Sequence, residues 1–392
     1  MNADAAKMRK KKLHAFFLGL VSAFFLLLLL LFILALVPRP KWKDFSDAPG
    51  EYKKGHGPHA IIPQKPRALA PNEKNHGEPF NPYFERNITE GRPMEWDFTL
   101  DGTLYLPLPG TYFIKQKTVA EKPVFTASYE IDAANRRITP FAKEKAAQFL
   151  LLLGDSYTFG WGVNQKETYA AHLAKSLQGF QVYNYGVPSL FPGEALLRLD
   201  RIKKANEVTQ KSGAVLFFYG SYSVFRNMGE AHDIGHLGEK KPYLKENENG
   251  EFVFHGNYLG ARPLWLFFSQ LLVKLQIERH FRVILRREPT DADWQYEARL
   301  LQKMKEKSAA IGATKFFVVL YPGPSPGLRA RHAAKITAAL EAAKIDYIDF
   351  SDWNLGDYTK NSPLIFNDGH YTPEAHAVFA RALDLVLREK LN

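Results

Sequence analysis

From residue 146 to the end of the chain, short apolar runs alternate with stretches of helical period, and nothing else in the sequence narrows the fold as much. QFLLLL (148–153) is followed by a helix around 166–177, and VYNYG (182–186) by a helix from Gly193 to about Val208. AVLFFYG (214–220) is a third strand. TDADWQYEARLLQKMKEKSAAIG begins with a Thr/Asp cap and reads as a helix to about 310. KFFVVLYPG (315–323), a helix over 328–343, IDYIDF (345–350) and a last helix over 373–389 complete the series. Strands and helices alternating at these lengths predict an α/β fold, a parallel sheet with helices on both faces in three α/β/α layers. Ligands of such sheets sit at the carboxyl ends of the strands.

The other end of the chain carries a different constraint. Lys7, Arg9, Lys10, Lys11 and Lys12 precede the uncharged run AFFLGLVSAFFLLLLLLFILALV, residues 15–37. A helix needs about 20 such residues to span a bilayer. The run is longer than a signal-peptide core, and Ala35-Leu36-Val37 offers no small-x-small cleavage site. We therefore expect a cytoplasmic basic tail (1–12), a single transmembrane anchor (13–37) and an extracytoplasmic, periplasm-facing remainder, as the positive-inside rule dictates. The formal charge is +11, of which +7 remains beyond residue 37. That excess is spread along the chain and forms no nucleic-acid stripe, so no nucleic-acid partner is expected. Cysteine is absent, which excludes disulfides, thiolate metal sites and a cysteine nucleophile.

Ten prolines and many charges in residues 38–93 read as an extended stalk holding the next domain off the membrane. Alternation in VFTASYEI and the turn-like DAAN predict a small β-rich segment over 94–145, either an edge addition or a lid. Residues 229–288 interrupt the strand–helix series with polar loops and then PLWLFFSQLLVKLQI. That last piece is too short to span a membrane and lacks a basic flank, so we expect a helix packing on the core or shaping a pocket rather than a membrane contact.

Candidate chemistry begins where the first strand stops, at Gly154-Asp155-Ser156. Ser156 is either a capping serine at a strand-to-helix turn or a nucleophile presented at a strand end. Acyl transfer through serine requires an imidazole base, a group orienting that base, and donors for the oxyanion. FNDGHYTPEAH (366–376), just after the last strand, supplies Asp368 and His370 two residues apart. In an extended stretch such residues project to the same side, so Asp368 can orient the His370 ring locally. Pro373 is placed to start the final helix. Asp155 reads as a turn and cap residue, and His376 as a structural or surface residue of the last helix.

GDSYTFG resembles the first block of the SGNH (GDSL-type) hydrolases, DGHYTPEAH their last, and VYNYGVPSLFPGEALLRL their second. The resemblance covers roughly residues 146–392, and implies a flavodoxin-like sheet with Ser156 as nucleophile, His370 as base and Asp368 as its acid. It makes the backbone N–H groups of Ser156 and Gly186 oxyanion donors. Two departures stand out. The family's usual acid–base spacing is D-x-x-H, which would place Asn367 at the acid position, whereas D-x-H here selects Asp368. Its third block usually reads G-x-N-D, but FFYGSYSVFRN has Tyr222 where the asparagine belongs. The Tyr222 hydroxyl, Asn227 and Asn184 are the candidate replacements, and Arg226 is a candidate for charge near the oxyanion or an anionic substrate.

The implied protein is a membrane-anchored serine esterase, without cofactor, acting on O-acyl and especially O-acetyl esters of a cell-envelope glycan. The rivals are an O-acyltransferase fed by a membrane partner and a non-catalytic glycan-binding protein on the same scaffold. His232, His236 and His255 form no compact ligand set, so no metal is expected. GDSYTFG lacks the lysine and spacing of a phosphate loop. Trp161, Tyr222, Trp265 and Phe267 fit either a pocket lining or the core. Asn87-Ile88-Thr89 fits a glycosylation acceptor.

Overall fold

The computed structural model describes residues 19, 22, 57–63, 88–117, 123–143, 145–220, 222–275, 287–321, 326–353, 363–366 and 368–391. Nearly all of the apolar run 15–37 lies outside the described residues, as do Asn87, Asn367 and the side chains of His232 and His236. No described helix is long and apolar enough to cross a membrane.

In chain order the first elements are β1 (Ala60–Ile61), β2 (Ile88–Arg92), β3 (Trp96–Phe98), β4 (Tyr105–Pro107), β5 (Gly110–Lys117) and β6 (Pro123–Ile131). Next come β7 (Gln148–Gly154), α1 (Ser156–Phe159), a 3₁₀ turn (Gln165–Glu167), α2 (Tyr169–Ser176), β8 (Phe180–Gly186), α3 (Pro192–Lys204) and β9 (Ser212–Tyr219). An inserted section follows: α4 (Ser223–Met228), α5 (Ala231–Leu237), the antiparallel hairpin β10 (Pro242–Glu246) and β11 (Phe252–Asn257), α6 (Tyr258–Ala261) and α7 (Pro263–Lys274). The chain closes with α8 (Asp291–Ala309), β12 (Ala313–Leu320), α9 (Pro326–Ala342), β13 (Tyr347–Asp349) and α10 (Pro373–Leu391).

Six strands form one parallel sheet in the order β1-β13-β12-β9-β7-β8. Counted from β7, the order 2-1-3-4-5 is flavodoxin-like, and its switch point lies between β7 and β9. QFLLLL is apolar without alternation because both faces of β7 are covered. Phe149, Leu151 and Leu153 enter the layer of α3, α8 and α9, while Leu150 and Leu152 enter that of α2 and α10. All five are fully buried, each contributing about 2 kcal/mol. The Thr290 side chain caps α8 in a reciprocal box with Asp293, as the Thr/Asp signal implied.

The expected 38–93 stalk is interrupted. Ala60 and Ile61 pair with Tyr347 and Ile348 as a sixth, edge strand, and His59 Nδ1 lies 2.9 Å from Asp346 Oδ1. The free edge of β13 and the apolar Ile61, which packs against the core, account for the capture of a segment whose composition reads as linker. Only residues 38–56 therefore separate the apolar run from the folded domain.

The β-rich segment, which begins with β2 inside the expected stalk, packs on the α/β unit. The antiparallel sheet β2-β5-β6 packs Tyr112, Ile114, Phe125, Ala127 and Tyr129 against Phe159, at the end of α1. Within the insertion, Ile234, Tyr258 and Leu266 form a small cluster of their own. The expected packing of PLWLFFSQLLVKLQI on the core is only partly met, because Leu266 and Ser269 alone are buried in α7. The helix leans on α5, not on the main sheet.

The capture of β1 predicts a stability difference between a chain beginning at residue 57 and one beginning at residue 64. Loss of the strand is expected to cost about 1–2 kcal/mol, a fall in Tm of about 2–8 °C. Thermal melts of the two chains check it, and equal midpoints would show that β1 adds nothing.

Candidate active site

The β7 strand ends at Gly154, and Ser156 opens the four-residue helix α1. A Cβ on Gly154 would lie 2.1 Å from Thr158 Oγ1 and 2.9 Å from Phe218 Cβ. Gly186, at the parallel end of β8, faces backbone: a Cβ there would lie 2.3 Å from Phe159 N and 2.6 Å from Thr158 C. Two glycines thus let α1 sink between the ends of β7 and β8, which fixes the position of Ser156.

His370 arrives from the loop after β13. Its Nε2 lies 2.9 Å from Ser156 Oγ and its Nδ1 lies 3.0 Å from Asp368 Oδ2. The local geometry is a turn, not the extended stretch that the i, i+2 argument assumed. Gly369 has φ of 87°, its N–H donates to Phe366 O, and Phe366 N–H donates to His370 O. Asp368 Oδ1 also accepts the His370 N–H at 3.1 Å. Glycine between acid and base is therefore a backbone requirement, since the left-handed region is costly for other residues. Tyr157 holds this turn from below, its hydroxyl donating to Gly369 O at 3.1 Å with its ring 5.3 Å from the imidazole.

The two titrating groups shift in opposite senses. Burial alone would lower the His370 pKa, but the charge and hydrogen bond of Asp368, with Asp155 adding, leave it above its usual 6.5. Burial alone would raise Asp368, yet the charge and hydrogen bonds of His370 leave it below the ordinary carboxylate value. The His370 side chain keeps 23% of its surface exposed against 7% for Asp368, so the ring is reachable and its partner is shielded.

Asp155 does more than cap α1 by accepting the Tyr157 N–H. Its buried carboxylate accepts the Tyr222 and Tyr321 hydroxyls, the latter at 2.9 Å, and pairs with Arg226 at 3.5 Å. Burial, then the charge of Asp155, push both phenols well above 10, so they remain donors. Tyr222 therefore supports the Ser156 turn, its hydroxyl given to Asp155.

The remaining expected donors are also engaged. Gly186 N–H donates to Asn184 Oδ1 at 2.9 Å, and Asn184 Nδ2 donates to Thr158 O at 3.0 Å. Asn227 Nδ2 donates to Glu297 Oε2 at 2.6 Å, and burial raises that carboxyl to about 8. Arg226, besides Asp155, lies 3.9 Å from Asp233 and stacks over the Tyr222 ring. What stays available from the expected set is the Ser156 N–H, at a helix start where no intrahelical acceptor exists.

Arg137 escaped the sequence reading. It is buried beside the nucleophile loop, donating to Phe159 O, Gly160 O, Val163 O and Gln165 Oε1 at 2.6–2.7 Å. Tyr129 OH accepts the Gly162 N–H. The small β segment thus clamps the loop after Ser156; the Arg-Arg pair after the DAAN turn was the available signal. His376 is buried and accepts the Tyr169 N–H at 3.3 Å, as a structural residue would. Among the described residues no group of three His, Asp or Glu could hold a metal. Trp161 lies 6.4 Å from the His370 ring, whereas Trp265 and Phe267 belong to α7.

No family model and no curated protein matches the chain. Similar solved structures include TesA, at 15% identity and a TM-score of 0.37, covering 62% of this chain and 99% of its own. A lipolytic G-D-S-L family protein from Veillonella parvula is 11% identical at a TM-score of 0.34, covering 60% and 96%. A catalytic mutant of the acetylxylan esterase Axe2 from Geobacillus stearothermophilus is 14% identical at 0.33, covering 62% and 94%.

Two outcomes follow from the geometry. If His370 is a base it must be neutral to act, so the acid limb of kcat/KM against pH is expected above 6.5. Asp368→Asn removes the interactions that raise it, so the limb should move to lower pH while kcat falls on the order of 10³–10⁴. Gly186→Ala should cost about 1–3 kcal/mol and about a hundredfold in kcat through a displaced α1, since its clash is with backbone. Thermal melts and kcat of that variant test it.

Proposed function

We propose that this chain is a membrane-anchored serine esterase of the SGNH type, turned to the outside of the cytoplasmic membrane. It acts on O-acyl esters, above all O-acetyl esters of a cell-envelope glycan. The observation that carries the chemistry is the Ser156–His370–Asp368 hydrogen-bonded chain at the carboxyl ends of a parallel sheet, beside its switch point. The anchor, the outward orientation and the glycan rest on the sequence, through the basic cluster and the apolar run ahead of the domain.

In the proposed reaction His370 Nε2 takes the Ser156 hydroxyl proton as Oγ attacks the ester carbonyl. Asp368 stabilises the imidazolium that forms. The Ser156 N–H meets the oxyanion, and each donor of this kind supplies about 10²–10³ in rate. Collapse of the tetrahedral intermediate breaks the ester C–O bond, and the leaving oxygen takes the proton from His370. Water, activated by the same ring, then releases the acid. A sugar hydroxyl in place of water would make the same residues a transferase.

The test is labelling of the protein with a serine-directed phosphonate. Wild type should be modified at Ser156 and Ser156→Ala not at all. A folded chain that binds glycan yet resists the reagent would overturn the enzymatic reading. Acetate release from a model ester, with and without added oligosaccharide, then separates hydrolysis from transfer.

A further inference from the structure

The α7 helix, PLWLFFSQLLVK, is apolar except for an edge carrying Gln270 and Lys274, yet it is covered on only one side. Leu266 and Ser269 face α5, where Gly235 lets the two helices touch: a Cβ there would lie 2.6 Å from Ser269 O. On the opposite side Leu264, Phe268, Leu271 and Leu275 follow one another at helical spacing, with Phe267 beside them. Leu264 is 74% exposed, Phe267 59% and Phe268 54%. Trp265, at the margin, is fixed by its Nε1–H donating to Gly229 O at 2.8 Å, so the helix cannot roll to hide these side chains. A helix with so wide an apolar surface buries it against protein or lipid.

We propose that this face of α7 lies in the interfacial layer of the bilayer that anchors the chain, against anionic phospholipid. Two observations select lipid as the occupant. The first is charge: α7 contains no acid, and Arg262 and Lys274 stand exposed at its two ends. Such flanks attract anionic headgroups while the apolar side chains enter the acyl boundary. Two copies paired through α7 would instead set these cations against one another. The second is reach. With β1 in the sheet, residues 38–56 alone join the apolar run to the domain. That tether spans at most about 65 Å. A domain of this size has a radius of gyration of about 19 Å, so it is held against the membrane surface. Docking through α7 would then fix its orientation. The inference rests on the anchored reading above.

The experiment uses the full chain in vesicles of phosphatidylethanolamine and phosphatidylglycerol, with or without bromine on the acyl chains. Bromolipid should quench the part of the tryptophan emission that Trp265→Phe removes, and aqueous iodide should not. In the double variant Phe267→Glu, Phe268→Glu the Trp265 emission should lose bromolipid quenching and gain iodide quenching, with hydrolysis of a soluble ester unchanged. Iodide quenching of Trp265 in the wild type, without bromolipid quenching, overturns the proposal. Protection from both quenchers also overturns it, assigning the face to a second copy if dilution relieves the protection and to another segment of the chain if it does not. Release of the chain by carbonate overturns the anchored reading itself, and with it the tether argument.

Discussion

The buried carboxylate of Asp155 is the constraint on which the rest of the site depends. A carboxylate taken out of water must find hydrogen-bond donors or counter-charge. Asp155 finds them at the ends of three strands: the Tyr157 N–H after β7, Tyr222 after β9 and Tyr321 after β12, with Arg226 from α4. Strand ends that diverge with sheet twist are thereby drawn to one point. Ser156, the next residue, inherits that fixed position. Tyr157, one further, carries the same order to the Gly369 turn and so to His370.

Support also comes from outside the α/β unit. Arg137 lies buried with its guanidinium given to three carbonyls of the loop after α1, and Tyr129 receives the Gly162 N–H. Gly160 O also accepts the Val163 N–H and Phe159 O the Asn184 Nδ2 at 3.5 Å, so at these two positions the guanidinium adds a second, charged donor. The β2-β5-β6 sheet therefore acts as the back wall of the loop after Ser156. The glycines complete the arrangement from the inside, because Gly154 and Gly186 allow the approach of backbones that the donors and acceptors then hold.

Much of this was legible beforehand, for reasons that are local. Outside the insertion, strand and helix positions from β7 to α10 follow the hydrophobic runs closely, because each sheet strand is covered on both faces and each helix on one; within it, the polar stretches read as loops form α5 and the hairpin β10–β11. Ser156, Asp368 and His370 were legible because a strand end, a glycine and a short polar pattern mark them within a few residues. The donors were not. Tyr222, Asn227 and Gly186 each carry a suitable group, but whether it faces the nucleophile depends on Asp155, Glu297 and Asn184. The edge strand β1 was hidden by its linker-like composition, and Arg137 by lying in a segment that resembles an accessory.

The sequence by itself determined the parallel three-layer architecture and the positions of Ser156, Asp368 and His370. Hydrophobic period and glycine placement are properties of neighbouring residues, and neighbours can be read along a line. Only the tertiary structure decided where each hydrogen bond of the candidate oxyanion set goes, that residues 60–61 belong to the sheet, and that α7 leaves an apolar face uncovered. Those outcomes depend on partners brought together from distant parts of the chain, whose competition for each donor or surface is settled only when the core closes.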